Sequence, residues 1–160
     1  MRSTGLKVLC AVALTALLSA CGGGGMIQRV SEPAVGIQQL TVQADGTWSV
    51  DLRIDNFSSV PMRFDGVSLA LTLDGESAGT LAASPAITIG PESADIATLT
   101  LAPSSAAKIR IADALSGRRG VAYSLRGTMS AGPEDDKART FQVERDSTLT
   151  PVPGLPGVLR

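Results

Sequence analysis

Trp48–Asn56 reads WSVDLRIDN, and its strict alternation decides the fold class. Trp48, Val50, Leu52 and Ile54 face one way, while Ser49, Asp51, Arg53 and Asp55 face the other. A period of two is the mark of a strand with one face in a core and one in water. Upstream, Val35, Ile37, Leu40 and Val42 form a first strand, closed by Asp45-Gly46, a pair suited to the positive φ of a hairpin turn. Downstream, Ser58, Ser59 and Pro61 mark a turn. Met62 and Phe64 then lie on even positions, but Val67, Leu69, Leu71 and Leu73 on odd ones, so a β-bulge is expected at Gly66.

The pattern continues outward. Asp74-Gly75 is a second two-residue turn signal, followed by a short return strand around Ala78 to Ala82. Ile87 and Ile89 precede a turn at Gly90-Pro91, and Ile96 to Leu101 form a strand ended by Pro103. A single helix is expected from about Ser104 to Leu115, capped by Ser104 or Ser105 and stopped by Gly117. Val121, Tyr123 and Leu125 alternate again, and Phe141 and Val143 begin a last strand after the acidic loop Glu134, Asp135, Asp136. Turn-punctuated short strands without helix–strand alternation predict an all-β, antiparallel β-sandwich of about seven strands with one short helix.

Composition excludes more chemistry than it suggests. The chain has no histidine, which removes the commonest general base at neutral pH and most zinc or iron sites. Asp51 and Asp55 lie on one strand roughly 13 Å apart at about 3.3 Å per residue, too far for a paired-carboxylate hydrolase. Glu134, Asp135 and Asp136 lack the spaced order of a calcium loop. Lys108 and Lys137 have no nucleophile elbow beside them, and Arg118-Arg119, between Gly117 and Gly120, lacks the phosphate-loop pattern. Trp48 and Tyr123 read as core. The expectation is therefore no catalytic residue, no cofactor and no metal. Aromatic residues make up 3% of the chain and no basic stripe is present, so nucleic acid is not an expected partner.

The N-terminus carries an address. Arg2 and Lys7 precede an apolar run from Val8 to Ala20, the order of an export signal, and the run is too short to span a bilayer. Leu18, Ser19, Ala20 and Cys21 resemble the lipobox of bacterial lipoproteins. A plain secretory cut after Gly22, or an unprocessed anchor, is the alternative. The resemblance implies lipid on Cys21, whose acyl chains would each contribute about 0.8 kcal/mol per buried methylene. Gly22, where an aspartate would retain the protein at the inner membrane, points to an outer-membrane, lipid-anchored, periplasm-facing placement. Without Arg2 and Lys7, two of 14 basic residues, twelve remain against 15 acidic ones. The expected organisation is a signal peptide over 1–20, a lipidated cysteine and Gly-rich tether over 21–33, a sandwich over 34–149, and a Pro-rich tail over 150–160.

Three segments resemble one family: Val50–Phe64 (VDLRIDNFSSVPMRF), Val67–Ala82 with Ile89–Leu101 (VSLALTLDGESAGTLA, IGPESADIATLTL), and Val121–Met129 (VAYSLRGTM). They resemble the WHy (water stress and hypersensitive response) domain, also called late embryogenesis abundant group 2, from Pro33 to about Leu149. One departure stands out: this chain has Asn56-Phe57 where the family usually has Asn-Pro. Asn56 is expected to tolerate the turn conformation, and Gly127 to sit where a side chain does not fit. The resemblance implies a fibronectin-type-III-like sandwich, no catalytic residues, and a role in desiccation or envelope stress. On that reading, sheet edges or weakly charged faces hold partly unfolded envelope proteins and limit their aggregation. An envelope adaptor binding one protein partner, or a carrier of a small apolar ligand between the sheets, is the alternative.

Overall fold

Residues 28–160 are described by a computed structural model. The expected signal peptide, Cys21 and the glycines of the expected tether lie outside the described residues. Among the described residues nine strands form two antiparallel sheets with one helix. They are β1 Ala34–Val42, β2 Trp48–Asn56, β3 Met62–Leu73, β4 Glu76–Ala83, β5 Ile87–Ile89, β6 Ser93–Leu101, α1 Ser105–Gly117, β7 Val121–Pro133, β8 Arg139–Leu149 and β9 Val158–Leu159. One sheet has the order β6-β2-β1-β9, and the other β4-β3-β7-β8 with β5 paired to β3. The all-β antiparallel sandwich expected from the alternation is what forms. The strands beyond seven are short: β5 has three residues and β9 two.

β2 behaves as its pattern demands. Trp48, Val50, Leu52 and Ile54 are buried, and across the core Leu69, Leu71, Leu73, Leu125 and Met129 come from the other sheet. Full burial of one such aliphatic side chain contributes roughly 1.5–3 kcal/mol, and this core is built from them with few aromatics. The parity slip in β3 is a bulge, with Phe64 opposite Ala131 and Gly66 opposite Ser130, so Asp65 is the inserted residue. A second bulge lies in β1, where Ile37 faces Leu52 but Gln39 faces Asp51. It moves the buried set from Val35 and Ile37 to Leu40, a change of parity that the sequence already shows.

The two Asp-Gly turns differ. Asp74 and Gly75 both take positive φ (47° and 83°) in a two-residue hairpin. Between β1 and β2, Val42 pairs with Trp48, leaving a five-residue loop in which only Gly46 is left-handed (φ 81°). There Asp45 Oδ1 instead accepts from the backbone N and the hydroxyl of Thr47. Gly127 faces Leu69 across the β3–β7 pair, and a Cβ there would overlap Ser68 O and stand 3.0 Å from Leu69 Cα. The strands pack too closely for any side chain, as expected.

α1 starts where Ser104 Oγ accepts from Ala107 N, so Ser104 is the cap. Its end corrects the expectation placed on Gly117, which is the last helical residue. The left-handed residue is Arg118 (φ 50°), and Arg119 N closes the motif on Ala114 O at 2.9 Å. Ser104 also ties α1 to β4, donating from its N to Ala78 O and from its hydroxyl to Ser77 O. That link covers the β4 edge.

The segment 150–160 is not a tail outside the domain. Leu159 is fully buried and faces Leu40, Val158 faces Thr41, and Thr150 and Arg160 exchange both backbone hydrogen bonds. The prolines shape a tight return, Val152 N to Val158 O at 2.9 Å, that brings an apolar pair back to the free side of β1. Tyr123 completes the same flank. Its ring is buried and its hydroxyl accepts from Ile37 N at 3.1 Å, beyond the reach of β9.

Candidate functional site

Asn56 continues the even-numbered, buried face of β2 and so places a carboxamide where water is excluded. A buried amide needs partners, and this one has them. Nδ2 donates to Val60 O (3.0 Å), Ile89 O (3.0 Å) and Gly90 O (2.8 Å), and Oδ1 accepts from Ser58 N (2.9 Å). One side chain thus joins the β2–β3 and β5–β6 turns. Asn56 is absent from the positive-φ residues, so its role is hydrogen bonding, which corrects the expected turn tolerance. Phe57, in the place where the family usually has proline, is half exposed, and the turn is held by its polar neighbours.

Ser58 extends the knot to the lead-in. Fully buried, it accepts from Ser31 N at 3.0 Å through its hydroxyl, and its carbonyl accepts from Glu92 N at 3.1 Å. Ser59 N donates to Arg29 O (3.0 Å), Arg29 N returns a bond to Ser59 Oγ (2.9 Å), and the Arg29 guanidinium reaches Phe57 O. Residues 29–31 are irregular, as expected, yet clamped to the domain. The sequence held one signal of this: a polar residue on the core parity of β2.

At the opposite end, α1 and the C-terminal return enclose an apolar groove of about 750 Å³, lined among others by Leu115, Pro151, Val152, Pro153, Leu155 and Pro156. Leu155 is half exposed on it. The polar candidates from the sequence do not converge. Asp51 bonds Thr98 Oγ1 and Asp55 pairs with Arg53, each on the outer face. Glu134 accepts from Thr88, while Asp136 lies 3.9 Å from Arg139. Lys108 stands over the Gly46 turn. Arg118 and Arg119 sit at the C-terminus of α1, the negative end of the helix dipole and the wrong end for phosphate. Among the described residues no group of three acidic, cysteine or histidine side chains could hold a metal, and no helix is long and apolar enough to cross a membrane.

Three exposed side chains have shifted titration. The Thr47 hydroxyl, and then its N–H, hold Asp45 below the usual carboxylate range; Asp65 and Asp146 raise Arg63 and Arg126 by hydrogen bonding. The β8 edge is guarded. Exposed Arg139, Glu144, Arg145 and Asp146 line β8, the outermost strand of its sheet, and such charges discourage pairing with another chain.

The model of the late embryogenesis abundant protein family matches residues 51–145, which runs from β2 into β8 and takes in the Asn56 knot. The chain belongs to this family. Late embryogenesis abundant membership supports a stress-related role. Among solved structures, a crystal structure of an Archaeoglobus fulgidus protein is similar at 15% identity and TM-score 0.43, covering 78% of this chain and 98% of that one. A solution structure from Arabidopsis thaliana has 10% identity and TM-score 0.49, with 77% and 80% covered. A putative late embryogenesis abundant protein has 16% identity and TM-score 0.37, with 96% and 86% covered. Comparison with curated proteins finds no match. The clamp at Arg29 and Ser31 and the groove residues 150–157 lie outside the matched segment.

Proposed function

We propose that this late embryogenesis abundant protein is a non-enzymatic, WHy-type lipoprotein of the envelope. Lipid on Cys21 anchors it at the outer membrane on the periplasmic side, and it limits aggregation of partly unfolded envelope proteins under desiccation or related stress. The observation that carries the stress reading is the family match across most of the sandwich. The lipobox and the preceding apolar run support the anchor.

On this reading the receiving surface is the groove between α1 and the C-terminal return rather than the β8 edge, which is lined with charge. An apolar concavity with a half-exposed leucine offers apolar segments a place to be shielded from one another. A carrier that encloses its ligand between the sheets gains no support, because Leu40, Val50, Leu52, Leu69, Leu71 and Leu125 fill that space at full burial.

The test uses the purified mature protein with model enzymes that aggregate on heating or drying. Protection above that of an equal mass of inert protein is expected, and Leu155→Asp should remove at least about half of it. Protection no better than the inert protein overturns the proposal.

A further inference from the structure

The register places the lead-in at one end of the sandwich and the apolar groove at the other. Asn56 pairs with Ser93, and Met62 with Ile89 and Pro133, so the β2–β3, β5–β6 and β7–β8 turns share the end that holds Arg29 and Ser31. Val42 pairs with Trp48, Trp48 with Leu101 and Leu73 with Tyr123, so the Gly46 and Gly75 turns share the other end with α1 and the C-terminal return. β3 has 12 residues, which at about 3.3 Å each separates the ends by roughly 40 Å.

The serine clamp turns this separation into a constraint. Arg29 is fixed by Ser59 and Ser31 by Ser58, so eight residue steps separate Cys21 from the first clamped residue. Eight residue steps reach at most about 28 Å when fully extended, at about 3.5 Å each. Were the whole lead-in released as far as Ala34, where β1 begins, thirteen steps would reach about 45 Å.

The geometry points to a fixed polarity at the lipid surface, an inference that rests on the anchoring reading above. With Ser58 and Ser59 holding the lead-in, the β2–β3 end faces the phospholipid bilayer, because the tether is too short for the domain to stand on its groove end. Phe57, half exposed beside the Arg29 guanidinium, is then the apolar side chain presented to the headgroup layer. Glu134, Asp135 and Asp136 make this end's rim acidic, so the tether rather than attraction to anionic lipid sets the contact. The groove is left facing away from the membrane.

The mature chain has one cysteine, Cys21, so thioether formation there leaves an engineered cysteine as the sole label site. Lipoprotein carrying Asp135→Cys or Ser116→Cys, each with a fluorophore, is reconstituted on the outside of phosphatidylcholine vesicles containing a headgroup quencher. The label at 135 should be quenched at least about threefold more than the label at 116. Ser58→Ala with Ser59→Ala, which removes the hydroxyl bonds of the clamp but leaves Ser59 N on Arg29 O, should narrow the difference. A ten-residue glycine extension after Gly25, which leaves the domain untouched, should do the same. Equal quenching in lipidated, vesicle-bound protein with the clamp intact overturns the polarity alone. A mass lacking acyl chains, with no vesicle binding, overturns the anchor and the polarity with it.

Discussion

Replacing Asn56 by alanine removes a carboxamide with four polar partners, all at an end of the sandwich where the chain makes three turns. Nδ2 carries two protons shared among Val60 O, Ile89 O and Gly90 O, and Oδ1 accepts from Ser58 N. The alanine would leave Ser58 N and at least two carbonyls without this partner. Each lost bond, counted with the cost of the group left unsatisfied, is worth about 1 kcal/mol or somewhat more. The expected loss is about 3 kcal/mol. For a domain of this size that lowers Tm by roughly 10 °C. Urea unfolding followed by tryptophan fluorescence reads it directly, because Trp48 is the only tryptophan and is buried at the other end of β2. Asn56→Asp sharpens the test. It keeps the acceptor for Ser58 N but sets a carboxylate against carbonyl oxygens, so its folded pKa should lie above the ordinary Asp value. The stability of that variant should then be greatest below the unfolded pKa and fall as pH rises through the folded one. A loss under about 1 kcal/mol in Asn56→Ala, or an Asn56→Asp variant no more stable in acid relative to wild type, would refute the knot as the structural link between these turns.

Gly127→Ala should cost at least about 3 kcal/mol in chemical denaturation, because its Cβ overlaps Ser68 O; Gly75→Ala, in open space at φ 83°, should cost only about 1–2. Leu159→Ala should lose about 2–5 kcal/mol, the range for an aliphatic side chain deleted from a core, and a loss below about 1 would return residues 150–160 to the status of a tail. Asp45 should titrate below the ordinary carboxylate range by NMR, and Thr47→Ala, which removes the hydroxyl bond but keeps the backbone one, should raise it part of the way back. Its depressed pKa means that the linked stabilisation is present above the unfolded pKa and is lost as pH falls through the folded one.

The sequence by itself determined every strand but β9, the sandwich class and, to within one residue, the helix start. Alternation from Trp48 to Ile54, the Asp74-Gly75 hairpin, the bulge beside Gly66 and the Ser104 cap are short-range consequences of side-chain polarity and backbone sterics. A window of a few residues contains their causes. The tertiary structure decided what depends on a distant neighbour. The proline-rich stretch 150–160 carries no strand periodicity, and it becomes β9 only because β1, more than a hundred residues earlier, leaves backbone groups and an apolar site open for Val158 and Leu159. Arg118 takes the left-handed cap that Gly117 was expected to provide because the helix runs one residue further before Arg119 closes on Ala114 O. Asn56 was legible as a turn residue from its neighbours in sequence. Its work as a buried crosslink, and the clamp that Ser58 then places on the lead-in, exist only once three separate turns are folded to the same end.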